Sequence, residues 1–242
     1  MKLYAYCLAS GIDTLPEPVR GISAAPVRLL KIENFVVLVS DLAAEAVSVT
    51  REHALAHAAV VRSVLDQTTP LPFRFGTLVT EQQLRNYISA RKPALETKLE
   101  TVRGCVEMSV KIISNFFEDN EPAQPKKDRD DKQGAGAMFL AEKRREILGD
   151  ERRAAHAAEI STWLQEGLEG LARDKQVTVR PGGKLVLSAA FLVERLKIGQ
   201  YRERLARLRE DRSDLHFLVS GPWPPYTFAN VELEFKSQFG VS

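Results

Sequence analysis

The amino-acid sequence predicts an α+β protein of two domains, an N-terminal α+β domain of residues 1–103 and a C-terminal domain of residues 104–242. Short β-prone runs and amphipathic helical stripes alternate along the chain. From residue 104 onward the order is strand, helix, hairpin, helix, strand, which is the βαββαβ order of a ferredoxin-like split unit. With 242 residues, 44% of them apolar, the chain is long enough to bury two small cores.

The N-terminal domain is predicted to have a mixed βββαβα order. Its first three strands are β-prone runs at residues 3–8, 27–32 and 35–39. The last two of these form a hairpin, because only Glu33-Asn34 separates them. Thr50 then caps a helix, whose inward stripe is assigned to the apolar residues at helical spacing: Ala54, Leu55, Ala58, Val61 and Leu65.

The first domain ends with a strand and helical segments. Residues 71–77 alternate apolar and polar side chains, as a strand does. A helix follows over residues 80–89, and a further short helix begins after Pro93 and leads to Gly104.

The C-terminal domain is predicted to be a modified ferredoxin-like unit. Its first strand, residues 105–113, carries Glu107, Ser109 and Lys111 on a polar face. Residues 118–136 are mostly charged, prolyl or glycyl, and therefore predict a flexible loop. One long helix follows over residues 137–171, with Gly149 as a candidate break.

The rest of this domain is a hairpin, a helix and a strand. Residues 177–179 and 185–187 pair across Pro181-Gly182-Gly183. A helix is then predicted from an apolar stripe: Leu192, Leu196, Tyr201, Leu205 and Leu208. Residues 215–219 form the last strand, which a proline-rich turn and a C-terminal tail follow.

The charge balance bears on the class of partner. The 34 basic and 32 acidic residues leave a net charge of +2, so no overall field draws the chain to nucleic acid or to an anionic membrane. No apolar run reaches the roughly 18 residues of a membrane-spanning helix, and the start of the chain is unlike a signal peptide. We therefore expect a cytoplasmic protein, in which Cys7 and Cys105 are buried thiols.

Catalytic and metal sites have no clear pattern in the sequence. His53 and His57 have the four-residue spacing of a shared metal site, but no third ligand accompanies them. No glycine cluster has the context of a phosphate-binding loop, and no nucleophile elbow is present. We therefore expect no enzymatic activity, no metal and no cofactor.

Two binding functions of the βαββαβ domain need consideration. RNA recognition requires exposed aromatic residues on the central strand, and residues 105–113 contain none. A regulatory domain that binds a small ligand leaves little trace in a sequence, so this function stays open as an alternative.

Two aromatic segments are candidate partner-binding sites. Phe73, Arg74 and Phe75 place two rings on one face of the predicted strand, where a role in the core is the stronger interpretation and partner binding the alternative. Trp223, Tyr226 and Phe228 lie in the proline-rich segment after the last strand. There, rings are either tucked under the domain or available to a partner.

Four segments resemble the gas vesicle protein F/L family (GvpF/GvpL), the accessory proteins of gas vesicle formation. The matching segments span nearly the whole chain and lie at residues 4–7, 71–77, 104–111 and 218–228. Residues 71–77 (Leu-Pro-Phe-Arg-Phe-Gly-Thr) and 218–228 together carry most of the specificity.

The resemblance implies two α+β domains, the second a modified ferredoxin-like one, and no enzymatic activity. It also implies a role in building the gas-filled shell through contact with the main shell protein and other accessory proteins. The sequence leaves open whether the chain belongs to the F or the L branch. It also leaves open whether the protein stays in the vesicle, on its gas-facing side, or acts only during assembly, and what its oligomeric state is.

Overall fold

A computed structural model describes residues 2–15, 18–114, 135–180 and 184–229, with the backbone alone for residues 135–142 and 144–147. Most of the loop predicted over residues 118–136, the turn at 181–183 and the tail from residue 230 lie outside the described residues. Within these ranges the chain forms two antiparallel sheets and five α-helices, which confirms the α+β fold class.

In chain order the elements are β1 (Lys2–Ala9), β2 (Arg28–Ile32), β3 (Phe35–Leu42), α1 (Arg51–Ser63), β4 (Leu71–Pro72), β5 (Leu78–Val79), α2 (Glu81–Val102), β6 (Cys105–Ser114), α3 (Ala135–Gly167), β7 (Asp174–Val179), β8 (Leu185–Glu194), α4 (Ile198–Asp211), β9 (Leu215–Trp223) and α5 (Tyr226–Ala229). The chain divides into two compact units. One comprises the residues up to Glu107 and those from Pro222 onward, and the other comprises Met108–Gly221. The domain boundary predicted after residue 103 stays a prediction.

The sheet of the first unit has the order β2-β3-β1-β4, and β5 also pairs with β1. Each of these pairings is antiparallel. Ile32 pairs with Phe35 across the predicted two-residue turn, in which Glu33 has a φ of 54°. The predicted hairpin is therefore confirmed. Residues Leu3 to Ala9 of β1 are all buried, so both faces of the central strand are covered.

Helix α1 begins at the predicted cap, where the Thr50 side chain accepts a hydrogen bond from the His53 backbone N–H. The predicted inward stripe is wrong at its first three positions, because Ala54, Leu55 and Ala58 are exposed. Val61 and Leu65 are buried as predicted, and the core takes His57, Val60 and Val64 in place of the other three. Three valines at positions 60, 61 and 64 together bury more apolar area than Leu55 and two alanines would, and this difference favours the observed rotation of the helix about its axis.

The segments after α1 differ from their predictions in two ways. Residues 71–77 are not one strand, because β4 ends at Pro72 and a turn separates it from β5. The two short helices predicted around Pro93 are one helix, α2, and Pro93 is exposed within it. The helix continues because its buried stripe keeps helical register past the proline: Leu84, Ile88, Leu95, Leu99 and Val102.

The second unit contains the sheet β7-β8-β6-β9 and has the predicted βαββαβ order along the chain. Strands β7 and β8 pair antiparallel, with Val177 opposite Ala189. Helix α3 is continuous through Gly149. The prediction that Leu192 and Leu196 lie on a helix is wrong. Leu192 lies in β8, which is an almost continuously buried apolar run, and Leu196 is 95% exposed in a 3-10 turn before α4.

Candidate partner-binding surface

Among the described residues of the first unit's C-terminal segment, Trp223 and Tyr226 are the exposed aromatic ones. Trp223 ends β9 and is 39% exposed, and Tyr226 begins α5 and is 41% exposed. Phe228 is half-buried on the same short helix, whereas Pro224 and Pro225 are buried. The prolines thus fix the path of the backbone, while two rings stay in contact with solvent. We call these three aromatic residues the aromatic platform.

A buried carboxylate holds the platform in place. Glu107 is 6% exposed, and its two oxygens accept hydrogen bonds from the Thr227 backbone N–H at 2.7 Å and from the Thr227 hydroxyl at 2.8 Å. Burial raises the pKa of the Glu107 carboxyl, and the hydrogen bonds from Thr227 oppose that shift. The carboxylate thus provides an acceptor for the Thr227 backbone N–H, which has none within the first turn of α5. Glu107 was predicted on the polar face of its strand, and its burial corrects that prediction.

Tyr226 combines an exposed ring with a phenol in a shielded environment. Burial raises the pKa of Tyr226 to about 12, and the negative charge of Glu107 acts in the same direction. The hydroxyl therefore stays neutral at physiological pH. A fixed aromatic ring with a polar end is a common element of binding surfaces, because it loses little entropy when a partner binds.

Helix α1 supplies a cation to the platform. The Arg62 guanidinium lies 5.7 Å from the centroid of the Trp223 ring, within the range of a cation–π interaction. Arg62 is in the last turn of the helix and is exposed. The indole is thus bordered by a positive charge.

The structure separates the roles of the other three predicted residues. Phe73 is 1% exposed, and its backbone N–H donates to the Tyr6 carbonyl at 2.9 Å. The Phe75 ring is half-buried and packs edge-on against Tyr4 and His57, with centroids 6.3 and 5.9 Å apart. Of the three, Arg74 alone is exposed. It lies at the start of the turn in place of the predicted strand.

This turn is closed by hydrogen bonds on both sides. The Thr77 backbone N–H and hydroxyl both donate to the Arg74 carbonyl, at 3.2 and 2.6 Å. Gly76 adopts a φ of 86°, and its N–H donates to the Tyr4 hydroxyl at 3.0 Å. The turn that displays Arg74 is therefore anchored on a tyrosine of the central strand.

Beneath the turn lies a buried polar network that sequence reasoning missed. The Tyr4 hydroxyl is 2.9 Å from His57 Nδ1. The Tyr6 hydroxyl donates to Ser40 at 3.1 Å and accepts from the Ile22 backbone N–H at 2.8 Å. Burial raises the pKa of both tyrosines and lowers that of His57 to about 4, a shift that the Phe73 backbone opposes. These groups therefore stay neutral at physiological pH.

Metal binding by His53 and His57 gains no support from their surroundings. His57 is buried against Tyr4, whereas His53 lies 3.0 Å from the Ser48 carbonyl through its Nδ1. Within the described ranges, there is no group of three or more His, Cys, Asp or Glu residues that could hold a metal ion. Among the same residues, no helix is both long and apolar enough to cross a membrane.

Solved structures of gas vesicle proteins share this fold. The crystal structure of GvpF from Anabaena sp. PCC7120 superposes with a TM-score of 0.78 over 96% of this chain and 99% of that chain, at 18% identity. GvpF from Microcystis aeruginosa gives a TM-score of 0.74 at 21% identity, over 95% of this chain and 99% of that one. The chain therefore has the fold of these two crystal structures.

Sequence comparison assigns the family. The model of the family described as "Gas vesicle synthesis protein GvpL/GvpF" matches residues 2–230, so the chain belongs to this family, which is not an enzyme family. Gas vesicle protein L2 of Halobacterium salinarum is 27% identical, over 93% of this chain and 90% of its own length. Gas vesicle protein F of a Streptomyces species is 28% identical over 94% and 99%. Relatives named F and L thus match about equally.

Proposed function

We propose that this chain is a non-enzymatic accessory protein that binds the main gas vesicle shell protein while the vesicle forms. An accessory role in gas vesicles fits the family. The observation that carries the finer proposal is the aromatic platform: Trp223 and Tyr226 are solvent-exposed, yet Glu107 and two buried prolines hold their backbone in place. Ordered, exposed aromatic residues favour partner binding because little entropy is lost on association.

The chemistry of the surrounding segment supports an apolar partner. Residues 217–228 carry no charged side chain. A shell subunit that must assemble into a sheet-like wall has apolar edges that aggregate unless they are covered before incorporation. A segment without charged side chains that exposes aromatic rings can cover such edges.

The surface that we propose for this contact contains the platform residues Trp223, Tyr226 and Phe228 and the exposed Arg74. Phe73 and Phe75 act from beneath, because both rings pack into the unit that displays Arg74. Other accessory proteins are further proposed partners. The gas-facing side of the shell is the proposed location if the protein is retained in the vesicle.

Co-purification tests the proposal directly. The main shell protein encoded with this chain is co-expressed with tagged wild type, Trp223→Ala, Arg74→Ala and Tyr87→Ala, and the amount recovered is compared. Tyr87 is the matched control, since its ring also lies under an arginine, with Arg91 4.9 Å from the centroid. We expect Trp223→Ala and Arg74→Ala to reduce recovery and Tyr87→Ala to retain it.

Two results would contradict the proposal. Wild type that recovers no shell protein would remove the shell protein as a partner. Equal recovery by all four proteins would remove Arg74 and Trp223 from the surface. Immunodetection in isolated vesicles then distinguishes a minor component from an assembly factor, because an assembly factor would be absent from finished vesicles.

A further inference from the structure

The outer face of α1 is exposed in the part of the chain that the structure describes, and it ends beside the aromatic platform. We infer that it binds an amphipathic helix of the shell protein, one that carries acidic residues next to its apolar stripe. This inference rests on the proposed function and adds to it the site on α1 and the form of the bound segment.

Five residues share this face. At 100° per residue they fall within an arc of about 100°, and every one is exposed: Arg51, Leu55, Ala58, Ala59 and Arg62. The opposite side of the helix carries the buried His57, Val60 and Val61. The outward direction of the face is therefore fixed by the core.

The centre of the face is apolar. Leu55 is 60% exposed, and Val49, just before the helix cap, is 86% exposed. The exposed alanines at positions 58 and 59 have short side chains, so a second helix can approach closely. An isolated exposed leucine is ordinary. Here Leu55 and the two alanines lie on the same helix face as Arg62, whose guanidinium lies over the half-exposed ring of Trp223.

The two ends of the face are basic. Arg51 and Arg62 are eleven residues apart, which corresponds to about 16 Å along a helix. Neither arginine forms an ion pair within the described part of the chain, and Arg62 lies over the Trp223 ring. Glu52 is the only acidic residue in the sequence of α1 and lies at the edge of the face. Within α1 the face therefore carries two positive charges and no negative one, and the exposed Asp66 follows beyond the end of the helix.

These features select one form of partner. A helix packed alongside α1 would place its own apolar ridge against Leu55 and the alanines. Acidic side chains about three turns apart on that helix would reach Arg51 and Arg62. The partner segment is thus amphipathic, with apolar residues at three- and four-residue spacing and carboxylates beside them.

Binding measurements test the surface. Immobilised wild type, Leu55→Glu and the double variant Arg51→Gln/Arg62→Gln are titrated with detergent-free shell protein, at low and at high salt. Leu196→Glu and Arg202→Gln are the matched controls, because both residues are exposed and lie on the other unit. We expect each α1 variant to weaken binding about tenfold and each control to bind as wild type does. The salt dependence should decrease in the double arginine variant.

Crosslinking tests the form of the partner. Cys7 and Cys105 are buried, so a cysteine at position 55 can be labelled selectively with a photoreactive benzophenone. We expect the Leu55→Cys conjugate to crosslink to shell-protein residues at positions i, i+3, i+4 and i+7 of one segment that contains Asp or Glu.

The outcomes separate this inference from the proposed function. Shell protein that binds wild type, Leu55→Glu and the double arginine variant equally overturns the inference and leaves the proposed function intact. Crosslinks at alternate residues of an extended segment overturn the helical form of the partner. Failure of wild type to bind any shell protein overturns the proposed function, and the inference with it.

Discussion

Buried polar side chains determine where the first unit places its surface residues. Tyr4 and Tyr6 lie on the central strand, and their hydroxyls bond to His57, to Ser40 and to the backbone of two turns. A Cβ atom at Gly21 would lie 1.8 Å from the Tyr6 hydroxyl, so only glycine fits there. An unpaired group at this depth costs about 1 to 3 kcal/mol, so the hydrogen bonds of the two tyrosines favour this arrangement, in which His57 Nε2 is left without a partner among the described residues.

His57 makes stability depend on pH. Its pKa falls from 6.5 in the unfolded chain to about 4 in the folded one, because burial disfavours the cation. The unfolded state therefore binds more protons below pH 6.5, and stability is lost as the pH falls from 6.5 toward 4. The loss amounts to about 3 kcal/mol. In His57→Gln we expect this slope to flatten, as measured by denaturant unfolding across that range.

A control is needed because other groups titrate nearby. Burial raises the pKa of Glu107, so its effect on stability has the opposite sign. Its contribution to the free energy of unfolding is present below the pKa of the unfolded carboxyl and is lost as the pH rises above that value. The informative quantity is thus the difference between variants. His53→Gln removes a partly exposed histidine from the same helix and serves as the matched substitution. Parallel curves for wild type and His57→Gln would refute the assignment.

The Glu107 clamp can be measured with a double-mutant cycle. In Glu107→Gln the amide oxygen can still accept from the Thr227 N–H and the amide NH2 can donate to the Thr227 hydroxyl oxygen, but neutral hydrogen bonds replace two charge-assisted ones. Thr227→Val removes the hydroxyl and with it the hydrogen bond from that hydroxyl to Glu107. We expect Glu107→Gln to cost about 1 to 3 kcal/mol in unfolding free energy and the two changes to be non-additive. Strictly additive costs would show that the residues do not interact.

Residue roles were the part of the molecule least accessible from sequence. Glu107 alternates with apolar neighbours in the way a solvent-facing strand residue does, and only the short helix α5 explains its burial. Its partner lies 120 positions away in the chain. The tyrosines of β1 fit an apolar strand in the sequence, and their hydroxyl partners come from a helix, another strand and two turns. Long-range hydrogen bonds leave no local pattern.

At the scale of elements, two glycines of α3 have opposite expected effects. At Gly149 an added Cβ meets only the Arg153 guanidinium at 3.7 Å, so Gly149→Ala should stabilise the protein by about 1 kcal/mol. At Gly167 the Cβ would lie 2.6 Å from Leu208, so Gly167→Ala should destabilise it by about 1 to 3 kcal/mol. Thermal unfolding of both variants checks the signs. A stabilising Gly167→Ala would contradict the packing of α3 against α4.

Elements could be predicted where local chemistry is sufficient. The two-residue turn at Glu33-Asn34 and the cap at Thr50 are local signals, and both are present. The rotation of α1 was missed because alanine and leucine mark an apolar stripe without showing whether it is covered. The end of β8 was missed because an apolar run such as residues 189–193 fits a helix or a buried strand equally.

For the whole molecule, the family assignment and the exposed aromatic surface support the proposal that the chain binds another protein. The chain belongs to the GvpL/GvpF family, and its sequence pattern already carried that resemblance. The proposed surface combines α1, Arg74 and the aromatic platform, all within the first unit. The alternative of a small regulatory ligand stays a prediction, which a thermal-shift screen with metabolites can test.

The most direct test of shell-protein binding as the working mechanism is the buoyancy of a vesicle-forming host. The gene is replaced by a Trp223→Ala/Leu55→Glu variant in one strain and by Tyr87→Ala/Leu196→Glu in another, with protein levels matched by immunoblot. The proposed mechanism predicts that cells of the first strain sink and that cells of the second float. Normal flotation of the first strain would contradict it.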